Sequence, residues 1–366
     1  MARDDHGDGP RIEPARVERY LRRHGFPDAH LIAVQPLGVE VQVGLKGYGY
    51  GRPLRVTFTA GGATHDRVVR TMAPDPFDHE RRADRFDVML LAYDTFNALP
   101  RHIRAFDVGA FGVDGELTSM ARGEAFLVTE YVEGDLYARD LQKLRGADAP
   151  GSLDRDRAEA LARYLATVHS VPAPPGAYAR CLRDTVGSGE GIFGLCDSYP
   201  KDHPIARPER LQAIEQAAVR WRWRLADRAG RARRTHGDFH PFNLLFREGT
   251  DFSVLDRSRG GAGEPADDLT ALTINYLFFD LVDHGAFDGA LRALWEVFWH
   301  TWLRATGDRE VLEVVAPFFA WRGLVVASPV WYPDVPDGIR DRLLCFVERL
   351  LDGAPFDPDR VDDLLS

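Results

Sequence analysis

A chain of 366 residues, 45% hydrophobic and 28% charged, can form one large domain or two lobes, and its composition is that of a globular protein, not a disordered one. The net charge of -10, with no basic block to offset it, excludes a general nucleic-acid binder; it chiefly predicts solubility and is compatible with a cationic small substrate. Cys181, Cys196 and Cys345 lack CxxC or Cys/His metal spacing and read as reduced thiols, no apolar h-region follows Met1, and residues 323–330, with Arg322 at their edge, are too few to span a membrane. A cytoplasmic protein without a membrane partner is the expectation.

Residues 1–12 are charged and contain Gly and Pro, as in a frayed start. Residues 13–21 have a helical apolar period with Pro14 near its beginning and predict a short helix. From Leu37 to about Leu127 the pattern predicts strands: Val39, Val41 and Val43 alternate, residues 56–59 favour β-structure, and residues 67–72 make a third run. Between the first two lies Gly44-Leu45-Lys46-Gly47-Tyr48-Gly49-Tyr50-Gly51, whose glycines would let backbone N–H groups approach phosphates closely. The order is neither G-x-G-x-x-G nor G-x-x-x-x-G-K-[ST], and a Gly-rich hairpin turn is the plainer explanation. Residues 125–132 form an apolar run ahead of Glu133-Gly134, which by itself is an ordinary core strand ending in a turn.

The helical period then takes over. Residues 158–171 are rich in Ala and Leu at helical spacing, and the prolines at 172, 174 and 175 end that helix. Residues 180–208, with Gly187, Gly189, Gly191 and Gly194, read as an irregular insertion of the kind that carries substrate contacts. A helix over about 208–229 follows. Beyond Asp268 the chain is helical again: Trp295, Phe298, Trp299 and Trp302 recur as a core stripe, and Asp280 and Asp283 read as solvated charges. Asp357-Pro358-Asp359 predicts a terminal turn.

The chemistry is concentrated in Thr235-His236-Gly237-Asp238-Phe239-His240-Pro241-Phe242-Asn243 and in Asp256 downstream. Asp238 and Asn243 have the D-x-x-x-x-N spacing of a kinase catalytic loop, in which Asp takes the acceptor proton and Asn binds Mg²⁺. Residues 244–246 and 252–255 are short apolar runs around a turn at 247–251, so a hairpin centred near Gly249-Thr250 would set Asn243 and Asp256 opposite each other. Two oxygen ligands at cross-strand distance, about 5 Å, can share one Mg²⁺.

At these residues the chain resembles the aminoglycoside-phosphotransferase and choline-kinase branch of the protein-kinase-like fold, marked by H-G-D-x-H-x-x-N, which residues 236–243 match in full. Asp256 begins a segment similar to the family's D-W-E-x-A-x-x-G-x-P-x-x-D-L. Gly263, Pro265, Asp268 and Leu269 fall in register, while Arg257 and Ser258 replace Trp and Glu. The resemblance implies an α+β, bilobal fold: an extension with a short helix over 1–35, a β-rich nucleotide-binding lobe over 36–130, and a mainly helical lobe over 131–366 for catalysis and acceptor binding. It implies a co-substrate ATP or GTP, Mg²⁺ on Asn243 and Asp256, Asp238 as the catalytic base, His236 as support of the loop backbone, and Asp268 as its brace through backbone N–H bonds.

It further implies that a basic residue on the third strand holds the nucleotide phosphates and pairs with a helix Glu. Arg70 has that place where Lys is more usual, Glu80 is the partner candidate, and both also fit as solvated surface charges; Lys46, beside Gly47 and Gly49, is an alternative cation. The backbone from Glu130 to Val132 would face the adenine. His169 is read as a structural histidine beneath the catalytic loop, and His240 as a packing residue. The implied reaction is phosphoryl transfer from a nucleoside triphosphate to a hydroxyl of a small molecule. A Ser/Thr protein kinase on the same scaffold and a non-catalytic nucleotide-binding pseudokinase are the rivals.

Overall fold

The computed structural model describes residues 13–37, 53–75, 77–121, 123, 127–174, 176–257 and 259–365. The chain divides into two units, Met1–Thr129 and Glu130–Ser366.

In the first unit Pro14 opens helix α1 (Pro14–Arg23), whose Val17 and Leu21 are buried. Strands β1 (His30–Pro36), β2 (Leu54–Ala60) and β3 (Ala63–Val69) form an antiparallel sheet in that order. Gly61 and Gly62, both at positive φ (57° and 75°), make the two-residue turn between β2 and β3, a conformation that suits the twist of a tight hairpin. Along β2, Val56, Phe58 and Ala60 alternate inward and meet Val17, Leu21 and Ala29 in a small core, while Arg55 and Thr57 hydrogen-bond Asp66 on the other face. Helix α2 (Arg82–Phe96) follows, then the hairpin of β4 (Gly109–Phe111) and β5 (Leu117–Ser119).

Several expectations change here. Val39, Val41 and Val43, with Lys46, Gly47 and Gly49, lie outside the described residues; the strand that pairs with β2 is His30–Pro36. The third strand ends at Val69, because the Gly61-Gly62 turn sets its register, so Arg70 is exposed one residue beyond it. Helix α2 starts at Arg82, after Glu80. Residues 127–134 pair in no sheet, with Leu127, Val128 and Tyr131 exposed; the apolar run has strand composition but no ladder partner among the described residues.

The second unit contains β6 (Asp135–Leu136), α3 (Tyr137–Lys143), α4 (Ser152–His169), α5 (Ala177–Gly187), α6 (Ile192–Asp197) and α7 (Pro208–Leu225). After these come β7 (Arg233–Arg234), β8 (Leu244–Phe246), β9 (Phe252–Val254), β10 (Ala262–Gly263), α8 (Ala266–His284), α9 (Ala290–Thr306), α10 (Ala316–Ala327) and α11 (Asp337–Leu351). One contiguous core joins α4 to α11, and the Trp295–Phe298–Trp299–Trp302 stripe lies in it. The expected insertion at 180–208 is largely helical: Leu182, Val186, Ile192 and Leu195 are buried, and the four glycines fall at the end of α5, in the link to α6 and inside α6. Asp280 is buried on α8, and Asp283 pairs with Arg145, so neither is a simple solvated charge. Among the described residues all three cysteines are unpaired, and no helix is long and apolar enough to cross a membrane.

Candidate active site

The loop 235–243 runs from β7 to β8 and is anchored on both sides. Phe239 is fully buried and stacks on Tyr164 of α4. Gly237 has φ 90°, and a Cβ there would stand 2.7 Å from the carbonyl oxygen of Gly260, so only glycine fits the turn. Asp268, fully buried in the first turn of α8, accepts the N–H groups of His236 at Oδ2 and Gly237 at Oδ1, each at 2.7 Å. His169, at the end of α4, approaches Asp268 Oδ2 at 3.0 Å through Nε2. Trp302 Nε1–H can only donate, and it donates to His169 Nδ1 at 3.1 Å; the hydrogen of His169 is therefore on Nε2 and is donated to Asp268. Burial pushes the Asp268 carboxyl upward, but the bonds from His169, His236 and Gly237 outweigh it and leave its pKa lowered. Both Asp268 oxygens are thus engaged in shaping the loop.

His236 is fixed in the same way. Its Nδ1 accepts the Asp238 N–H at 3.2 Å, so Nε2–H donates to the Leu255 carbonyl at 2.9 Å, and burial lowers its pKa toward the neutral ring. Asp238 itself is buried. Arg322 of α10 donates from Nη1 to its Oδ1 at 2.9 Å, and Arg259 Nε lies 3.9 Å from the same oxygen. Among the described residues, the other oxygen, Oδ2, has His240 Nε2 near it, at 3.5 Å. Burial raises the Asp238 carboxyl, but His240, Arg322 and Arg259 together hold it well below the usual carboxylate range. His240 does more than pack, because its Nδ1 also accepts the Phe242 N–H and caps the turn at 241–243.

One guanidinium serves two carboxylates here. Arg322 Nη2 reaches Asp267 Oδ1 at 2.7 Å and the Gly237 carbonyl at 3.2 Å. It cannot keep both acids low: Asp267, buried beside Asp268, is pushed up to about 6, first by burial and then by that neighbouring charge, against the pull of Arg322. Arg322 carries the largest part of this arrangement that the sequence reading missed. Its signal in the sequence was a lone arginine beside an apolar run.

The hairpin β8–β9 forms around Gly249 (φ 61°), and Arg157 of α4 secures its turn by donating to the carbonyls of Arg247 and Gly249 at 3.0 and 2.9 Å. Its register pairs Leu244 with Val254, which places Asn243 opposite Leu255, and Leu255 N–H bonds the Asn243 carbonyl at 2.8 Å. Asp256 is one residue beyond the expected partner position. The reason is that the hairpin centres on Gly249, with five residues between the paired Phe246 and Phe252, and not between Gly249 and Thr250, so residue 243 meets 255. Asp256 is exposed at φ 34°, a left-handed conformation that Asp tolerates better than most residues, and its carboxylate has no partner among the described residues. Asn243 Nδ2 donates to the Asp238 carbonyl at 3.1 Å, which leaves its amide oxygen as the available ligand atom.

An amide oxygen and an unpaired carboxylate are hard oxygen donors suited to Mg²⁺, which usually adds water and phosphate oxygens to one or two protein ligands. Among the described residues no group of three His, Cys, Asp or Glu side chains could hold a metal by itself. Arg257, in the place of the family Trp, straps the loop by donating to the carbonyls of Thr235 (2.6 Å) and Gly261 (3.1 Å); Ser258 lies outside the described residues. Glu130 is exposed and Val132 half-buried in the irregular segment that opens the second unit. A pocket of about 690 Å³ has His169, Trp302 and Arg231 in its wall, but none of residues 235–256; Arg231 is taken up by Glu264 and Asp308.

Residues 54–307, about two thirds of the chain, match the family model described as the phosphotransferase enzyme family. Among solved structures, the chain is similar to a macrolide 2'-phosphotransferase from Brachybacterium faecium (15% identity, 94% of this chain and 99% of that one, TM-score 0.31). It is similar also to a choline kinase from Streptococcus pneumoniae (13%, 95% and 97%, TM-score 0.33) and to a Plasmodium vivax ethanolamine kinase (13%, 86% and 78%, TM-score 0.37). Comparison with curated proteins gives no match.

Proposed function

The chain belongs to the phosphotransferase enzyme family, as an alcohol-group phosphotransferase of protein-kinase-like fold, and we propose that it moves the γ-phosphoryl of ATP or GTP to a hydroxyl of a small molecule. The observation that carries this reading is the state of Asp238: buried, tied to Arg322 by one oxygen, and with its other oxygen 3.5 Å from His240 Nε2. A carboxylate so placed can orient an acceptor hydroxyl and take its proton at Oδ2 as the new O–P bond forms and the bond from the γ-phosphorus to the departing nucleoside diphosphate breaks. The strongly lowered proton affinity of Asp238 suits a loose transition state, in which the acceptor proton leaves late and positioning matters more than basicity.

Asn243 and Asp256 would hold Mg²⁺, which when bound neutralises charge on the phosphates. Asp268 and His236 keep the loop backbone in shape for both groups. The test is incubation with ATP, Mg²⁺ and pooled hydroxylated metabolites and antibiotics, aminated and non-aminated, followed by mass spectrometry for the gain of one phosphoryl group. A labelled small molecule is the expected result. Label on a casein-like polypeptide alone, or nucleotide-dependent thermal stabilisation with no product, would overturn the small-molecule reading.

A further inference from the structure

We infer that Arg322 is a positioning residue for phosphoryl transfer: it fixes one oxygen of Asp238 and thereby presents the other to the acceptor hydroxyl. The inference rests on the phosphotransfer reading of this site and deepens it. Three features of the side chain support it.

The first is direction. Arg322 rises from α10 into the loop, and its two terminal nitrogens bond Asp238 Oδ1 (2.9 Å), the Gly237 carbonyl (3.2 Å) and Asp267 Oδ1 (2.7 Å). These are neighbours of one another across the motif and the start of α8, so a single planar group sets where the Asp238 carboxylate lies and how it is rotated. The second is burial. The Arg322 side chain is only 6% exposed, and Nε is buried without a hydrogen-bond partner among the described residues. A buried ion pair is seldom more stabilising than well-packed apolar side chains of similar volume, so fold stability alone is a poor reason for a guanidinium inside α10, whose neighbouring side chains are apolar and buried.

The third is asymmetry. The guanidinium carbon lies 3.9 Å from the centre of the Trp321 ring, and Arg259, 4.9 Å from that same ring, approaches the same Asp238 oxygen. Both arginines therefore act on Oδ1. Arg322 neither gives nor takes a proton; the acceptor proton goes to Oδ2, and Arg322 decides where Oδ2 is.

The experiment compares the full-length wild type with Arg322→Met, Arg322→Lys and Arg322→Ala, using Mg·ATP as donor and water or an acceptor found by screening as the other substrate. Arg322→Met is expected to lose about 100-fold in kcat, as a misplaced reacting group does, with the KM and calorimetric Kd for ATP unchanged. Arg322→Lys keeps the charge but not the planar fork and should recover only part of that loss, and millimolar ethylguanidinium should restore part of the Arg322→Ala rate. If Arg322→Met does not fold, the double variant Arg322→Met/Asp267→Asn, which removes a carboxylate left unpaired, is put to the same measurements. Wild-type kcat in a folded variant without Arg322 would overturn the inference, as would kcat falling only together with ATP affinity and thermal stability. A wild-type protein that transfers phosphoryl to nothing, water included, would instead overturn the phosphotransfer reading, and the role of Arg322 with it.

Discussion

Two carboxylates that lie close together in sequence live in opposite surroundings. Asp238 is buried in an anchored loop with arginines on one oxygen; Asp256, at the open end of a hairpin, is exposed, left-handed and, among the described residues, unpartnered. In the proposed reaction the contrast separates two tasks. A group that must meet a reacting hydroxyl at fixed distance gains from having its rotation settled in advance. A ligand for a hydrated cation gains from having no competing partner to lose.

The largest expected effect is on the first of these. Asp238→Asn should lower kcat by about 10³-fold, the range of a lost general base, with nucleotide affinity nearly unchanged in calorimetry. Asp256→Ala should do the converse, weakening Mg²⁺-dependent nucleotide binding by at least about 100-fold, more than loss of an outer-shell partner costs, while its melting temperature stays near wild type. Equal effects of both substitutions on nucleotide affinity would erase the distinction.

Asp268→Asn, which touches neither reactant, should destabilise the protein by about 3 kcal/mol in urea unfolding, because an amide nitrogen would then face a backbone N–H or His169 in a dry site. The smallest effect sharpens the comparison within the loop itself. Asp267 has a folded-state pKa raised from 3.8 to about 6, so its contribution to stability is present below about pH 4 and lost as pH rises through 6. Relative to wild type, Asp267→Asn should therefore gain about 1–3 kcal/mol between pH 4 and 7. Asp238 has a depressed pKa, so its contribution is present above the ordinary Asp range and lost as pH falls. Asp238→Asn should accordingly lose ground to wild type as pH rises from 3 to 5. Parallel pH slopes for the two variants would show that Arg322 does not discriminate between its partners.

How much of this was readable from sequence follows from distance along the chain. Residues 236–243 form one continuous loop, and the turn at Gly249 brings the chain back beside it, so local pattern sufficed to place them together and missed only the register, by one residue. The same holds for α1, α4, α7 and the tryptophan stripe, whose periods lie within single helices. The glycines around residues 187–194 concealed α5 and α6, whose burial depends on other helices. Residues 127–134 have strand composition, but composition cannot supply a neighbour to pair with. Arg322 stands 84 residues from Asp238, and nothing in its vicinity announces a carboxylate partner.

That separation has a consequence for biosynthesis. When a ribosome has delivered residues 236–256, both acids and the carboxamide of the motif exist, yet the groups that shape their loop do not: Asp268 comes next, and Trp302 and Arg322 emerge later. If the proposed roles hold, competence is thus conferred on the nascent chain from its C-terminal side. A polypeptide cut after α9 would carry the whole signature and still lack the guanidinium that bonds its aspartate.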